Sequence, residues 1–167
     1  MAAQDAASAS TKQALIQAFE NELATTLKVL KAYPQERSEL TPHPKCKSAR
    51  ELAWTFAIEQ IIATAAIHDK LDLSGGFPPA PATFAEAMST FEKAGKDLMT
   101  ALRGSDLSGT VRFFTGPKLM GDIPKPAFLW SVLHDQIHHR GQFSIYLRMA
   151  DGKVPSIYGP SADEPWM

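Results

Sequence analysis

Four stretches of this 167-residue chain repeat their apolar residues with the period of an α-helix, and stretches rich in proline and glycine separate them. That alternation constrains the fold more than any single motif, because an amphipathic helix must bury its stripe against a neighbour. The first stretch runs from about Ser10 to Ala32, sets Leu15, Phe19, Leu23, Leu27 and Leu30 on one face, and stops before Pro34. The second runs from about Ser48 to Leu71. Ser48 with Glu51 three residues on is a capping box, and Gly75-Gly76-Phe77-Pro78-Pro79 closes the region. The third, Thr83 to Leu102, opens on a second box, Thr83 with Glu86, and Gly104 suits the position just past its end. Its stripe of Phe84, Met88, Phe91, Gly95, Leu98 and Leu102 keeps heptad spacing. The fourth runs from about Pro126, at home in a first turn, to Ala150 before Asp151-Gly152. Helices of about 20–25 residues are roughly 30–37 Å long. The economical arrangement is an all-α four-helix bundle forming a single domain over residues 1–167.

The rest of the chain carries less signal. Residues 1–9 read as a flexible lead. Ser105 to Lys125 reads as a long irregular loop between helices three and four, in which Thr110 to Phe114 has strand character but no evident partner. Residues 153–167 read as an extended tail. Seventeen basic residues stand against eighteen acidic ones with no block of either sign, so neither nucleic acid nor an anionic membrane is indicated as a partner. The longest apolar stretch, Ile58 to Ile67, is broken by Glu59, Gln60 and Thr64 and is too short to span a bilayer. Met1 to Thr11 lacks the basic and apolar parts of a secretory signal. The lone Cys46 excludes an internal disulfide and suits a reducing, cytoplasmic setting.

The informative residues are polar ones on apolar faces. His134, His138 and His139 fall within six positions, so His134/His138 and Asp135/His139 compete as pairs one turn apart. At about 100° per residue, Phe128, Val132, Phe143, Tyr146, Leu147 and Ala150 cluster on one side of the fourth helix. Asp135 and His139 fall on the Phe128–Val132–Tyr146 edge of that cluster, whereas His134 and His138 point well away. On the second helix, Leu52, Phe56, Ala63, Ala66 and Ile67 make the seam, and Glu59 sits inside it. Burying a carboxylate or an imidazole is costly unless it is paired or bound to metal. Glu59, Asp135 and His139 therefore form the candidate set: three ligands on two helices, with positions left open, as in a catalytic site. A hydrogen-bonded network of the same residues would satisfy them without metal. Gln142 is a candidate donor to a ligand, Arg140 reads as a surface ion pair or an anion holder, and His68 reads as a surface or capping residue. Trp54, Ile58, Ile61 and Ala65 form a second stripe that predicts a covering neighbour or a subunit interface.

These residues resemble a known family. His139-Arg140-Gly141-Gln142, then Tyr146-Leu147-Arg148, Pro155, Tyr158-Gly159-Pro160-Ser161 and Asp163-Glu164 look like the C-terminal signature of the DinB (DinB/YfiT-like) family, and Arg50-Glu51-Leu52-Ala53-Trp54 resembles its helix-two motif. The resemblance implies a four-helix bundle of up-down-down-up connectivity, often a homodimer, holding a divalent metal ion through three histidines. Carried over position by position, the last of these is His139, the one before it falls on Asp135, and the helix-two position falls on Thr55, with Glu59 one turn later as its substitute. Two carboxylates and one imidazole are a harder set than three imidazoles, favouring iron, manganese or zinc over nickel. The resemblance further implies a metal-dependent transferase or hydrolase-type activity that activates a low-molecular-weight thiol or water toward a small electrophile, with a non-catalytic, metal-free dimeric bundle as the alternative.

Overall fold

The computed structural model describes residues 2–167, with side chains from residue 11 onward. Four helices, α1 (Ala2–Lys31), α2 (Ala49–Ile67), α3 (Phe84–Gly104) and α4 (Lys125–Met149), and two strands, β1 (Thr110–Gly116) and β2 (Leu119–Pro124), make up the chain. The backbone of α1 begins at Ala2, ahead of the expected start at Ser10. The side chains of the lead expected to be flexible lie outside the described residues. Both capping boxes form. The Ser48 side chain accepts from the Glu51 amide while Glu51 Oε2 accepts from the Ser48 amide, and Thr83 with Glu86 repeats the exchange. α2 ends at Ile67 rather than Leu71, because Asp69 turns left-handed (φ 56°) and the Lys70 amide bonds back to the Ala65 carbonyl at 2.8 Å. His68 is the residue that caps it. Gly104 is the last residue of α3, and Ser105 follows as its cap.

The region between α3 and α4 corrects the expectation of an irregular loop. Its strand-like segment has a partner: β1 and β2 form an antiparallel hairpin with Val111 opposite Ile123 and Phe113 opposite Gly121. Pro117 and Lys118 (φ 63°) make the turn, and the pairing slips between Phe114 and Gly116. Gly121 lets the strands approach closely here, since a Cβ at that position would lie 2.8 Å from the Thr115 side chain and force it to move.

The core lies in two apolar clusters along the bundle. One joins Leu15 and Phe19 to Ala63, Ile67, Leu98, Leu102, Leu129 and Leu133. The other joins Leu30 and Tyr33 to Ala49, Phe56, Phe84, Phe91, Phe143 and Leu147. Early α1 and early α4 thus share a layer with late α2 and late α3, which is the up-down-down-up arrangement. The crossover 68–83 must therefore run the length of the bundle. It covers half of the second stripe of α2: Trp54 Nε1 donates to the Pro78 carbonyl at 2.8 Å and Ile58 is buried, while Ile61 stays 39% exposed. Among the described residues no helix is long and apolar enough to cross a membrane.

Between the two clusters runs a buried polar belt. Gln60 Nε2 donates to Gln136 Oε1 at 2.8 Å, and Gln136 Nε2 donates to Thr26 Oγ1 at 2.8 Å. Arg140 is 1% exposed and pairs with Glu22 at 2.6 Å. It also donates to Thr26 Oγ1 and to the Tyr158 hydroxyl, its guanidinium over the Tyr158 ring. Arg140 is thus neither a surface residue nor an anion holder; it is a buried cation that ties α4 to α1 and to the tail. The tail is extended. Asp163 accepts from the Val154 amide and from Arg148, and Glu164 pairs with Lys28 at 2.8 Å.

Removing one partner of a buried pair leaves the other charged and unpaired, so Arg140→Ala should cost about 3–5 kcal/mol. Tyr158→Phe, which leaves the pair intact, should cost about 1 kcal/mol. Urea unfolding of the two variants measures both, and similar values for the two would contradict the tie described here.

Candidate metal centre

α2 and α4 run antiparallel, and this brings the middle of α2 level with the middle of α4. Glu59 lies there, 3% exposed, with Oε1 2.8 Å from His139 Nδ1. His139 is half-buried and stands edge-on to the Phe56 ring, centroids 6.5 Å apart. Asp135, one turn earlier, places Oδ2 3.8 Å from the same nitrogen. One ligand atom from each of the three residues lies within 4.8 Å of the others. The structure therefore gathers the three residues that the sequence nominates.

It also corrects their setting. The inward face of α4 is centred on Leu129, Leu133, Gln136, Arg140, Phe143 and Leu147, about one residue round from the edge read off the apolar residues. Asp135 consequently does not point into the core: its side chain is 57% exposed and reaches the site from the solvent side. Gln142 does not bond a ligand either. It contacts His138 Nε2 at 2.9 Å on the exposed face, where both His134 and His138 lie as anticipated. Thr55, at the position the resemblance assigns to an imidazole, donates to the Glu51 carbonyl and accepts from Lys47 Nζ at 2.6 Å. His43 accepts from the Lys45 amide within its own loop, and Cys46 is exposed.

Burial pushes the Glu59 carboxyl up to about 7, against the opposing pull of His139. The bond to Glu59 in turn raises His139 above its ordinary value, against the effect of its own burial. Each side chain thus keeps its proton to a higher pH than it would alone in water. The second carboxylate oxygen, Glu59 Oε2, is buried without any hydrogen-bond partner. An orphaned acceptor of this kind costs about 1–3 kcal/mol, and a cation shared with Asp135 and His139 would satisfy it. Two carboxylate oxygens and an imidazole nitrogen are donors that zinc, iron and manganese accept. The residues present thus fit a divalent ion.

The site opens on two grooves. One, of about 480 Å³, adds Lys47, Trp54, Ile58, Phe77 and Phe113 to the three polar residues. The other, of about 550 Å³, adds Phe128, Val132, His134 and His138 to Glu59 and Asp135. Phe113 of the hairpin lines both. Sequence reasoning misses these walls because they come from the crossover and the hairpin, whose folding back onto α2 and α4 has no local signature.

No family model matches the chain. An uncharacterized protein, YrdA of Bacillus subtilis (strain 168), is 24% identical over 156 residues, covering 89% of this chain and 89% of that protein. Among solved structures, a DinB-like protein from Bacillus cereus ATCC 10987 superimposes with a TM-score of 0.71 at 22% identity, covering 87% of this chain and 97% of that one. The DinB-like protein YjoA of Bacillus subtilis gives 0.67 at 13% identity, over 92% of this chain and 99% of that one. The fold is DinB-like.

A carboxyl raised from 4.5 to about 7 binds a proton that the unfolded chain has already released between those values. Stability from Glu59 is therefore full at low pH and falls as pH rises through that window, and the raised His139 adds the same sign. In the presence of a chelator, thermal unfolding should show a less stable protein at about pH 8 than at about pH 6. Glu59→Gln should flatten most of that slope, and an equal slope in the variant would show that the proton resides elsewhere.

Proposed function

We propose that this chain binds one divalent metal ion through Glu59, Asp135 and His139 and uses the open positions to activate a small molecule. The reaction class is that of a thiol-dependent transferase or a hydrolase-type metalloenzyme. The observation that carries this reading is Glu59, whose Oε2 is buried without a partner and whose carboxylate clusters with an imidazole and a second carboxylate beside a groove. When bound, such an ion lowers the pKa of a thiol or a water and so supplies thiolate or hydroxide near neutral pH.

The chain's own residues do the remaining work. Glu59 and His139 come from the rigid middles of two helices, so their separation is fixed by bundle packing. Asp135 sits on the solvent side and closes the set from there. Protons kept by Glu59 and His139 must leave when both act as ligands, so loading is coupled to pH. Trp54, Ile58 and Phe113 make the walls of the groove apolar, which strengthens charge interactions beside them. The donor set favours iron, manganese or zinc over nickel. A reducing cytoplasm, which the lone exposed Cys46 tolerates, suits a thiol co-substrate.

A second reading has an observation of its own. Glu59 and His139 already bond to each other at 2.8 Å, which is the arrangement a non-catalytic, dimeric bundle with a structural polar cluster would keep.

Metal analysis of protein purified without added metal separates the two readings. The first expects about one equivalent of metal in the wild type, lost in Asp135→Ala and in His139→Ala but retained in His134→Ala. Absence of metal from every preparation, with only stability lost in the variants, selects the structural cluster.

A further inference from the structure

α4 carries a second pair of metal-ligating side chains, which the candidate centre does not use. His134 and His138 stand one helical turn apart, both exposed, and both line the groove of about 550 Å³ that Asp135 and Glu59 also border. Two imidazoles and two carboxylates thus meet one groove, and among the described residues no lysine or arginine lines it. Asp135, next in sequence to His134, is 57% exposed, and its one ion-pair contact is the long 3.8 Å approach to His139 Nδ1. Its charge is therefore largely uncommitted on the side where the two imidazoles lie.

The two rings are committed to little else. His134 lies beside Trp130, ring centroids 6.0 Å apart. His138 lies beside His139 at 5.6 Å and meets the Gln142 amide at 2.9 Å. All of these neighbours belong to α4 itself, so both imidazoles can turn without disturbing the packing between helices. Residues four apart on a helix hold their Cβ atoms about 5–6 Å apart. Imidazoles so spaced can chelate a single ion, with each nitrogen about 2.0–2.1 Å from it.

The donor chemistry separates this pair from the inner set. Two carboxylates and one imidazole accept manganese and iron, whereas two neutral imidazoles take nickel, copper or zinc and hold manganese poorly. Asp135 beside the pair offsets part of the ion's charge. With two protein ligands and water in the other positions, the ion exchanges readily and is lost on purification, so it must be added back to be seen.

We infer that His134 and His138 form a second divalent-metal site on the exposed face of α4, taking nickel, copper or zinc ions and separate from the Glu59–Asp135–His139 centre. The site goes beyond the function proposed above and does not rest on it, since neither Glu59 nor His139 is a ligand in it.

Titration of the intact chain with nickel chloride, read by tryptophan fluorescence, tests the inference. Bound nickel quenches an indole close to it. Trp130 lies beside His134, whereas Trp54 lines the groove that holds Glu59 and His139, so the tryptophan that dims identifies the site that fills. Saturable quenching should persist in Trp54→Phe and largely vanish in Trp130→Phe. His134→Ala and His138→Ala replace exposed side chains and leave the fold intact. Each should weaken nickel binding about tenfold or more, because one imidazole no longer chelates, while His139→Ala leaves it unchanged. An equal concentration of manganese should not compete. The inference is overturned by quenching that does not saturate by about 1 mM nickel, by undiminished affinity in either His134→Ala or His138→Ala, or by effective competition from manganese. Quenching that follows Trp54 and disappears in His139→Ala puts nickel in the inner centre, which ends the inference and supports the metal reading instead.

Discussion

Glu59 and Gln60 are neighbours on α2, and both are buried, but their side chains enter different environments. Gln60 joins Gln136, Thr26, Arg140, Glu22 and Tyr158 in a chain of hydrogen bonds that reaches from the bundle axis to the tail. Glu59, turned by about 100°, meets His139 and Asp135 instead. The same doubling occurs on α4, where Gln136 and Arg140 point inward while Asp135 and His139 lie beside them. One register of α2 against α4 thus aligns two polar clusters at once. Sliding α2 by a residue would break the buried Gln60–Gln136 bond, and sliding α4 would part Gln136 and Arg140 from Thr26 and Glu22 of α1 as well. The closed cluster therefore holds the open one in place.

The two clusters differ in what they lack. In the closed one, the cation of Arg140 meets the anion of Glu22, and the neutral amide acceptor Gln60 Oε1 is the buried side-chain atom left without a donor. In the open one, two carboxylates face one imidazole, and a carboxylate oxygen has no donor at all. Charge neutrality is reached in the first by side chains alone. In the second it requires two protons or a divalent metal ion. That difference, rather than burial in itself, separates a structural polar cluster from one equipped for chemistry.

The helices are legible in the sequence because their stripes are long and their caps are local: Ser48 with Glu51 and Thr83 with Glu86 form as spelled. Glu59 and His139 are legible because each is a polar residue on an apolar edge. Asp135 is read off the same edge as His139, but its exposure is not legible, since it depends on where α2 meets α4. The burial of Gln136 and Arg140 is not legible because hydropathy counts them as outward, and their partners Thr26 and Glu22 lie more than a hundred positions away. The hairpin is half legible. β1 carries aromatic and β-branched residues, but Leu119–Pro124 shows no alternation, since both strands lie mostly in solvent.

The walls of the groove follow from the connectivity. In an up-down-down-up bundle α2 and α3 run parallel, so the link between them must travel back along the bundle. The segment 68–83 travels over the outer face of α2, where Trp54 and Arg50 catch the Pro78 and Pro81 carbonyls. Residues that are proline-rich cannot supply amide donors of their own, so they are held by donors from the helix they cross. That crossing turns an exposed apolar stripe into one wall, and the hairpin between α3 and α4 supplies the other through Phe113. One wall of the groove beside Glu59 is thus the geometric consequence of a connection that a simple up-down-up-down bundle would replace with a short turn. The hairpin, joining two helices that are antiparallel in either topology, adds the other.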